Sequence, residues 1–83
     1  MKKNLAKAAR QIDASVEAAL ECYFHEMDGE IPDNLYKMVI GRAERALITA
    51  VIERAQGNQC KAAQMLGVSR TTLRNRLTVY KLI

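Results

Sequence analysis

The side chains best suited to chemistry lie near the C-terminus, in a segment rich in hydrogen-bond donors. Residues 57–83 hold five Lys or Arg residues and no acidic residue, although the whole 83-residue chain has a net charge of only +4. Arginine, asparagine and threonine side chains donate to phosphate oxygens and to base edges. A segment without carboxylates can lie against a polyanion without repulsion. A merely solvated basic tail has the same composition, so charge alone leaves both interpretations open.

The residue spacing within this segment fits two short helices joined by a tight turn. A steep helix crossing requires a small residue at the contact, here Ala63, and the turn requires a residue that accepts positive φ, here Gly67. Val68 and Leu73 are predicted to fill the space between the helices, and Ser69 is predicted to cap the second helix. The outward side chains of that helix are then Arg70, Thr71, Thr72, Arg74, Asn75, Arg76 and Thr78. An ordinary helical hairpin with a basic face is the alternative, but the capped, acid-free second helix favours a DNA-binding helix-turn-helix.

Other kinds of site lack the residues that they require. His25 is the only histidine and lies on an acidic amphipathic helix, without a partnered nucleophile or a carboxylate pair, so an enzyme is not expected. Cys22 and Cys60 form no CxxC motif and follow no secretory signal, which is typical of reduced thiols in a cytoplasmic protein. Neither a metal nor a cofactor is expected. No apolar stretch approaches the length of a membrane-spanning helix, so no membrane association is expected.

Hydrophobic periodicity predicts an all-α fold of four helices, two long helices followed by a helix-turn-helix. A continuous apolar stripe runs from Ile12 to Met27, and Asp28-Gly29 is predicted to end this first helix. The second helix is predicted over residues 35–56, the third over 59–66 and the fourth over 70–80.

The predicted organisation is one domain in three parts. Residues 1–11 form a basic N-terminal arm, flexible or weakly helical; residues 12–56 form a two-helix dimerisation core; residues 57–83 form the helix-turn-helix unit. Ile40, Ile48 and Ile52 spread the hydrophobic surface of the second helix beyond a single stripe. Because the other helices are too short to cover this surface, a second copy of the chain is expected to do so.

Two parts of the chain show a resemblance to a known family. The run from Gly57 to Arg74, Gly-Asn-Gln-Cys-Lys-Ala-Ala-Gln-Met-Leu-Gly-Val-Ser-Arg-Thr-Thr-Leu-Arg, resembles the Fis-type helix-turn-helix. Ser15-Val16, Ala19-Leu20, Tyr23-Phe24, Gly29, Asn34-Leu35-Tyr36 and Val39 resemble the two long helices of the Fis family. The resemblance covers the chain from Ile12 onward.

The resemblance implies a homodimer that binds and bends double-stranded DNA as a transcriptional regulator or architectural protein of the cytoplasmic nucleoid. By motif position, the implied DNA-binding residues are Asn58, Ser69, Arg70, Thr72, Arg74, Asn75 and Arg76. Arg70 is the best candidate for a base contact, whereas Asn58 and Thr72 would hold phosphates. The predicted dimer-interface residues are Val16, Leu20, Phe24, Val39, Leu47 and Val51.

The chain also departs from the Fis pattern. Asn75, Thr78 and Val79 stand where the family is more basic, which is expected to weaken DNA binding and its salt dependence, and Cys60 replaces a small hydroxyl residue. The basic N-terminal segment is shorter than the family arm that touches DNA invertases, which argues against an invertase interaction.

Two alternatives stay open: a helical dimerisation or adaptor module without DNA binding, and a stand-alone effector domain of NtrC type. Because the sequence begins at Met1, the large ATPase domain of an NtrC-type activator is not expected here.

Overall fold

A computed structural model describes residues 5–83, and this part of the chain contains four α-helices and no strand. The helices are α1 (Ala6–Met27), α2 (Leu35–Arg54), α3 (Gln59–Leu66) and α4 (Arg70–Val79). The predicted all-α class and the order of two long helices before two short ones are confirmed. The described chain divides into two units, one ending at Leu35 and containing α1, the other spanning Tyr36–Ile83.

The first unit consists of α1 and the turn that follows it. The helix begins at Ala6, so residues 6–11 of the predicted basic arm form its first turns. Of the two descriptions predicted for this arm, flexible or weakly helical, the structure shows the helical one for these residues. Residues 1–4 of that arm lie outside the described residues. Asp28 ends α1 in the left-handed conformation at φ 51°, and Gly29 follows at φ 89°. The cap residue is therefore Asp28 and not the glycine. Aspartate tolerates the left-handed conformation better than most residues do.

The core of the second unit is small and consists largely of alanine. The buried side chains come from α2, from α3 and α4, and from the turn after α2: Ile48, Ala55, Ala62, Ala63, Leu73 and Leu77. Val51, Ile52, Leu66, Tyr80 and Leu82 are partly buried against them. Within one chain, α2 therefore shares its core with the helix-turn-helix. The grouping of residues 12–56 as a dimerisation core stays a prediction.

All three helices of the second unit end with the same pair of backbone hydrogen bonds. At the end of α2, the Gly57 N–H donates to the Ile52 carbonyl at 3.0 Å and the Gln56 N–H donates to the Glu53 carbonyl at 3.1 Å. This is the Schellman arrangement, with Gln56 in the left-handed conformation at φ 55°. It explains why α2 ends at Arg54 and not at the predicted Gln56.

One predicted packing residue lies on the surface of the described chain. Val68 of the turn is 41% exposed, so the prediction that it fills the space between the helices was wrong. Leu73, predicted to lie beside it, is buried, and Leu66 of α3 is partly buried against the same core. Within residues 5–83, no helix combines the length and apolar character needed to cross a membrane.

Candidate nucleic-acid interface

The helix-turn-helix forms as its residues predict. Ala62 and Ala63 are 0% and 3% exposed, which lets α3 approach α4 closely. Gly67 adopts φ 76° and ends α3, a conformation that a residue with a Cβ enters only with strain. Leu73 is 1% exposed on the inner side of α4. The outward donor side chains predicted for α4 are all exposed.

Ser69 and Thr72 form the N-terminal cap of α4. The Thr72 N–H donates to Ser69 Oγ at 3.0 Å, and the Ser69 hydroxyl donates to Thr72 Oγ1 at 2.9 Å. Since a hydroxyl has one hydrogen and can accept twice, the Thr72 hydroxyl keeps its own hydrogen for an outside acceptor. The cap therefore presents a donor beside the positive end of the helix, where a phosphate is favoured.

Asn58 caps the start of α3 in a similar way. Its Oδ1 accepts from the Lys61 backbone N–H at 3.0 Å, which makes it the N-cap residue of α3. The side-chain amide Nδ2 carries two further donors that this bond does not use. The predicted phosphate contact would therefore use a different atom of Asn58 from the cap.

This division of atoms makes Asn58→Asp a selective test. Aspartate is as good an N-cap as asparagine, so thermal stability is expected to stay within about 0.5 kcal/mol of the wild type. Binding to all DNA sequences is expected to weaken, because the donor is replaced by a negative charge. Calorimetry together with binding isotherms on good and random sites measures both effects. Asn58→Ala is the matched variant, with an expected stability loss of about 1 kcal/mol; unchanged DNA affinity in Asn58→Asp would contradict the phosphate contact.

The three arginines of α4 have different surroundings. The guanidinium of Arg70, in the first turn, has no hydrogen-bond or ion-pair partner within residues 5–83. Arg74 Nη1 donates to Gln59 Oε1 at 3.2 Å, which links its guanidinium to α3. Arg76 Nε lies 3.5 Å from Glu44 Oε2 on α2, so part of its charge is compensated within the chain. Of the three, Arg70 is the one available without breaking an existing contact.

Sequence reasoning missed three residues whose side chains hold residues of α4 and its C-cap: Gln59 of α3, and Glu44 and Arg45 of α2. Gln59 holds Arg74, and Glu44 accepts a hydrogen bond from the Tyr80 hydroxyl in addition to pairing with Arg76. Arg45 Nη1 donates to the Tyr80 carbonyl oxygen at 3.0 Å. Glu44 and Arg45 lie more than 30 residues before their partners, so no local pattern signals the contacts. One signal was available, since Glu44 is one of only two acids in the predicted second helix.

Glu44 also determines the titration of Tyr80. The hydrogen bond from the phenol to the Glu44 carboxylate raises the pKa of Tyr80 above its ordinary value of 10.0; desolvation and the carboxylate charge act in the same direction, and Arg76 opposes them. Because the folded pKa exceeds the unfolded one, this contact stabilises the fold fully below about pH 10 and is lost as the pH rises through the folded pKa. We expect the free energy of unfolding to fall above pH 10 more steeply in the wild type than in Tyr80→Phe. Urea denaturation at pH 8 to 11 measures this, and identical slopes would contradict it.

The remaining chemically reactive side chains form no site. Cys22 and Cys60 are free and exposed. Among residues 5–83, no group of three or more His, Cys, Asp or Glu residues could hold a metal ion. Within the described chain, hydrogen-bond donors are concentrated on the outer face of α4 and at the cap residues before α3 and α4.

A short helix, a glycine turn and a capped second helix with an acid-free outer face define a helix-turn-helix protein. Residues 40–80, which include this unit, match the family described as "Bacterial regulatory protein, Fis family". The chain is 40% identical over 72 residues to a Fis-like DNA-binding protein of Ralstonia nicotianae, covering 87% of this chain and 94% of that protein. It is 41% identical over 66 residues to the DNA-binding protein Fis of Proteus mirabilis, and 44% identical over 66 residues to that of Actinobacillus succinogenes, covering in each case 80% of this chain and 67% of the relative.

The chain therefore belongs to the Fis family. Its identity with these relatives extends beyond the helix-turn-helix to most of the chain, which confirms the resemblance stated from the sequence. Membership of a family of regulatory proteins also agrees with the prediction that the chain is not an enzyme.

Proposed function

We propose that this protein is a homodimer that binds and bends double-stranded DNA, as a regulator of transcription or an architectural protein of the bacterial nucleoid. The observation that carries the proposal is the outer face of α4, where Arg70, Thr71 and Asn75 are exposed and no acidic residue interrupts the donors. Its relatives of 40 to 44% identity are named as DNA-binding proteins.

The residues of the proposed site have different roles, which depend on their positions in the helix-turn-helix. Arg70 lies in the first turn of the recognition helix, where side chains of such helices usually reach base edges, and its guanidinium is unpartnered within the described chain. Asn58 and Thr72 each keep a free donor beside a helix N-terminus and are assigned to phosphates. Ser69 caps the start of α4 and orients the Thr72 hydroxyl. Arg74, Asn75 and Arg76 would extend the contact along the groove and the backbone.

Dimerisation is supported by apolar surface that one chain leaves uncovered. No residue of α1 is buried, although its stripe includes Val16 at 36% and Phe24 at 46% exposure. Leu20 of α1 is half-buried. On α2, Leu47 is 53% exposed and Val39 is half-buried. Val51 is half-buried against the core of its own unit, so it would serve both the fold and the interface. Apolar stripes this extensive on a folded chain are typical of interaction surfaces.

DNA bending is proposed from the resemblance to the Fis family, in which the two recognition helices lie too close together for successive major grooves of straight DNA. A protein that bends DNA obtains part of its sequence preference from the deformability of base pairs that it does not touch. Uncharged residues at Asn75, Thr78 and Val79 stand where the family is more basic. They predict a modest affinity for DNA and a shallow dependence of that affinity on salt.

Two measurements on the full chain test this proposal. Sedimentation equilibrium at micromolar concentration is expected to show only dimer. Gel shifts with circularly permuted duplexes are expected to show binding and a mobility that depends on the position of the site, which reports a bend. A folded monomer would contradict the dimer, and a dimer without affinity for DNA would favour the adaptor alternative, which the apolar surface also fits.

A further inference from the structure

Four side chains join α2 to the last turn of α4, and we call Glu44, Arg45, Arg76 and Tyr80 the Tyr80 cluster. Glu44 uses both carboxylate oxygens: Oε1 accepts from the Tyr80 hydroxyl, and Oε2 lies 3.5 Å from Arg76 Nε. Arg45, the next residue, donates to the Tyr80 carbonyl oxygen at 3.0 Å. Tyr80 is thus held at its hydroxyl and at its backbone by two consecutive residues of α2.

The apolar contact between these helices does not by itself determine how α4 is oriented. The buried core that α2 shares with the hairpin consists of three alanines, one isoleucine and two leucines. Apolar packing is non-directional, whereas hydrogen bonds depend on distance and angle. The polar contacts of the Tyr80 cluster therefore add a directional constraint that apolar packing does not supply.

The cluster lies at the end of α4 that is far from its N-terminal cap. Ser69 and Thr72 fix the first turn of α4, and Tyr80 is its C-cap residue. The Tyr80 carbonyl is one of the backbone acceptors that a helix C-terminus leaves unsatisfied, and a cation there is also favoured by the helix dipole. Arg45 supplies both the donor and the charge.

We propose that Glu44 and Arg45 are positioning residues for DNA recognition, which fix the orientation of the recognition helix α4 on α2 through Tyr80 and Arg76. The inference rests on the proposed function, because orientation matters only if α4 binds DNA. Since α2 is also the proposed dimer helix, the cluster would connect the dimer to the angle at which each recognition helix meets the duplex.

The test compares Glu44→Ala and Glu44→Gln with Glu53→Gln in the full-length dimer. Glu53 is an exposed acid of the same helix, so Glu53→Gln removes the same charge without touching the cluster. Glutamine at position 44 can still accept from the tyrosine, so it is expected to restore part of what alanine loses. Tyr80→Phe keeps the ring and removes only the hydroxyl, which gives a second variant if Glu44→Ala folds poorly.

Three quantities are measured: the ratio of affinities for good and poor sites, the bend angle from permuted duplexes, and the titration of Tyr80 in a background with Tyr23→Phe and Tyr36→Phe. We expect Glu44→Ala to lower the affinity ratio roughly three- to tenfold, the effect of losing one or two partly exposed charge-assisted hydrogen bonds. We also expect a changed bend and a lower pKa of Tyr80. Glu53→Gln is expected to leave the affinity ratio, the bend and the titration as in the wild type.

The proposal is overturned if Glu44→Ala and Tyr80→Phe keep the wild-type affinity ratio and bend, or if Tyr80 titrates identically with and without Glu44. If the wild type does not bind DNA, the proposed function fails, and the positioning role fails with it. The titration of Tyr80 needs no DNA, so it separates a wrong contact from a wrong function.

Discussion

Val51→Asp and Leu47→Asp are each expected to leave the chain unfolded at micromolar concentration. Val51 packs against the buried core of its own unit, and a buried unpaired carboxylate costs several kcal/mol, a large part of the stability of a small domain. Leu47 is 53% exposed in one chain, so its effect depends on burial by the second subunit. Circular dichroism and sedimentation velocity of both variants measure the outcome.

Thr49→Asp is the matched control, since Thr49 is exposed on the same helix and aspartate there costs only helix propensity. Val51→Asp and Leu47→Asp together separate the effect on folding from the effect on assembly. Unfolding of Val51→Asp with a folded, monomeric Leu47→Asp would mean that dimerisation is not required for folding, against our proposal. A folded dimer in Leu47→Asp would remove Leu47 from the interface.

Arg70→Ala is expected to lower affinity for preferred DNA sites by roughly 1–3 kcal/mol and to narrow the difference between preferred and random DNA. The reason is that a base contact contributes only where the right base is present, whereas phosphate contacts contribute everywhere. Binding isotherms on good and poor sites at several salt concentrations measure the change. Arg70 is exposed, so the fold should be unaffected.

Asn58→Asp provides the contrast, because loss of a phosphate contact weakens good and poor sites alike. An unchanged ratio of good to poor sites in Arg70→Ala would move the base contact to another residue. Arg74 would be the next choice, since it lies one turn further along α4 and its side chain is also exposed.

The local features of this fold were predictable from the sequence, whereas the contacts between distant residues were not. Asn58, Gly67 and Ser69 gave the limits of α3 and the start of α4, because capping and positive φ depend on the residue and its immediate neighbours. The candidate DNA face followed from the period of α4 alone. Leu73 was predicted to fill the space between the helices and is 1% exposed.

The Tyr80 cluster shows where such reasoning stops. Whether Glu44 faces solvent or Tyr80 depends on how α4 lies on α2, and no spacing within either helix encodes that arrangement. The same holds for Val68, which was predicted to fill the space between the helices and is 41% exposed. Arg76 illustrates both sides, since its exposure was predicted and its pairing with Glu44 was not.

The separation of the two faces of α4 has a consequence for how the protein can evolve. Leu73 and Leu77 hold the helix in place, while Arg70, Thr71 and Asn75 are exposed and take no part in the core. Surface substitutions away from caps and buried contacts usually change stability by less than about 0.5 kcal/mol. Mutations at these three positions could therefore accumulate without loss of folded protein. A duplicated copy of the gene could acquire a different target preference in single steps, each one viable, while the alanines beneath the helix stay fixed.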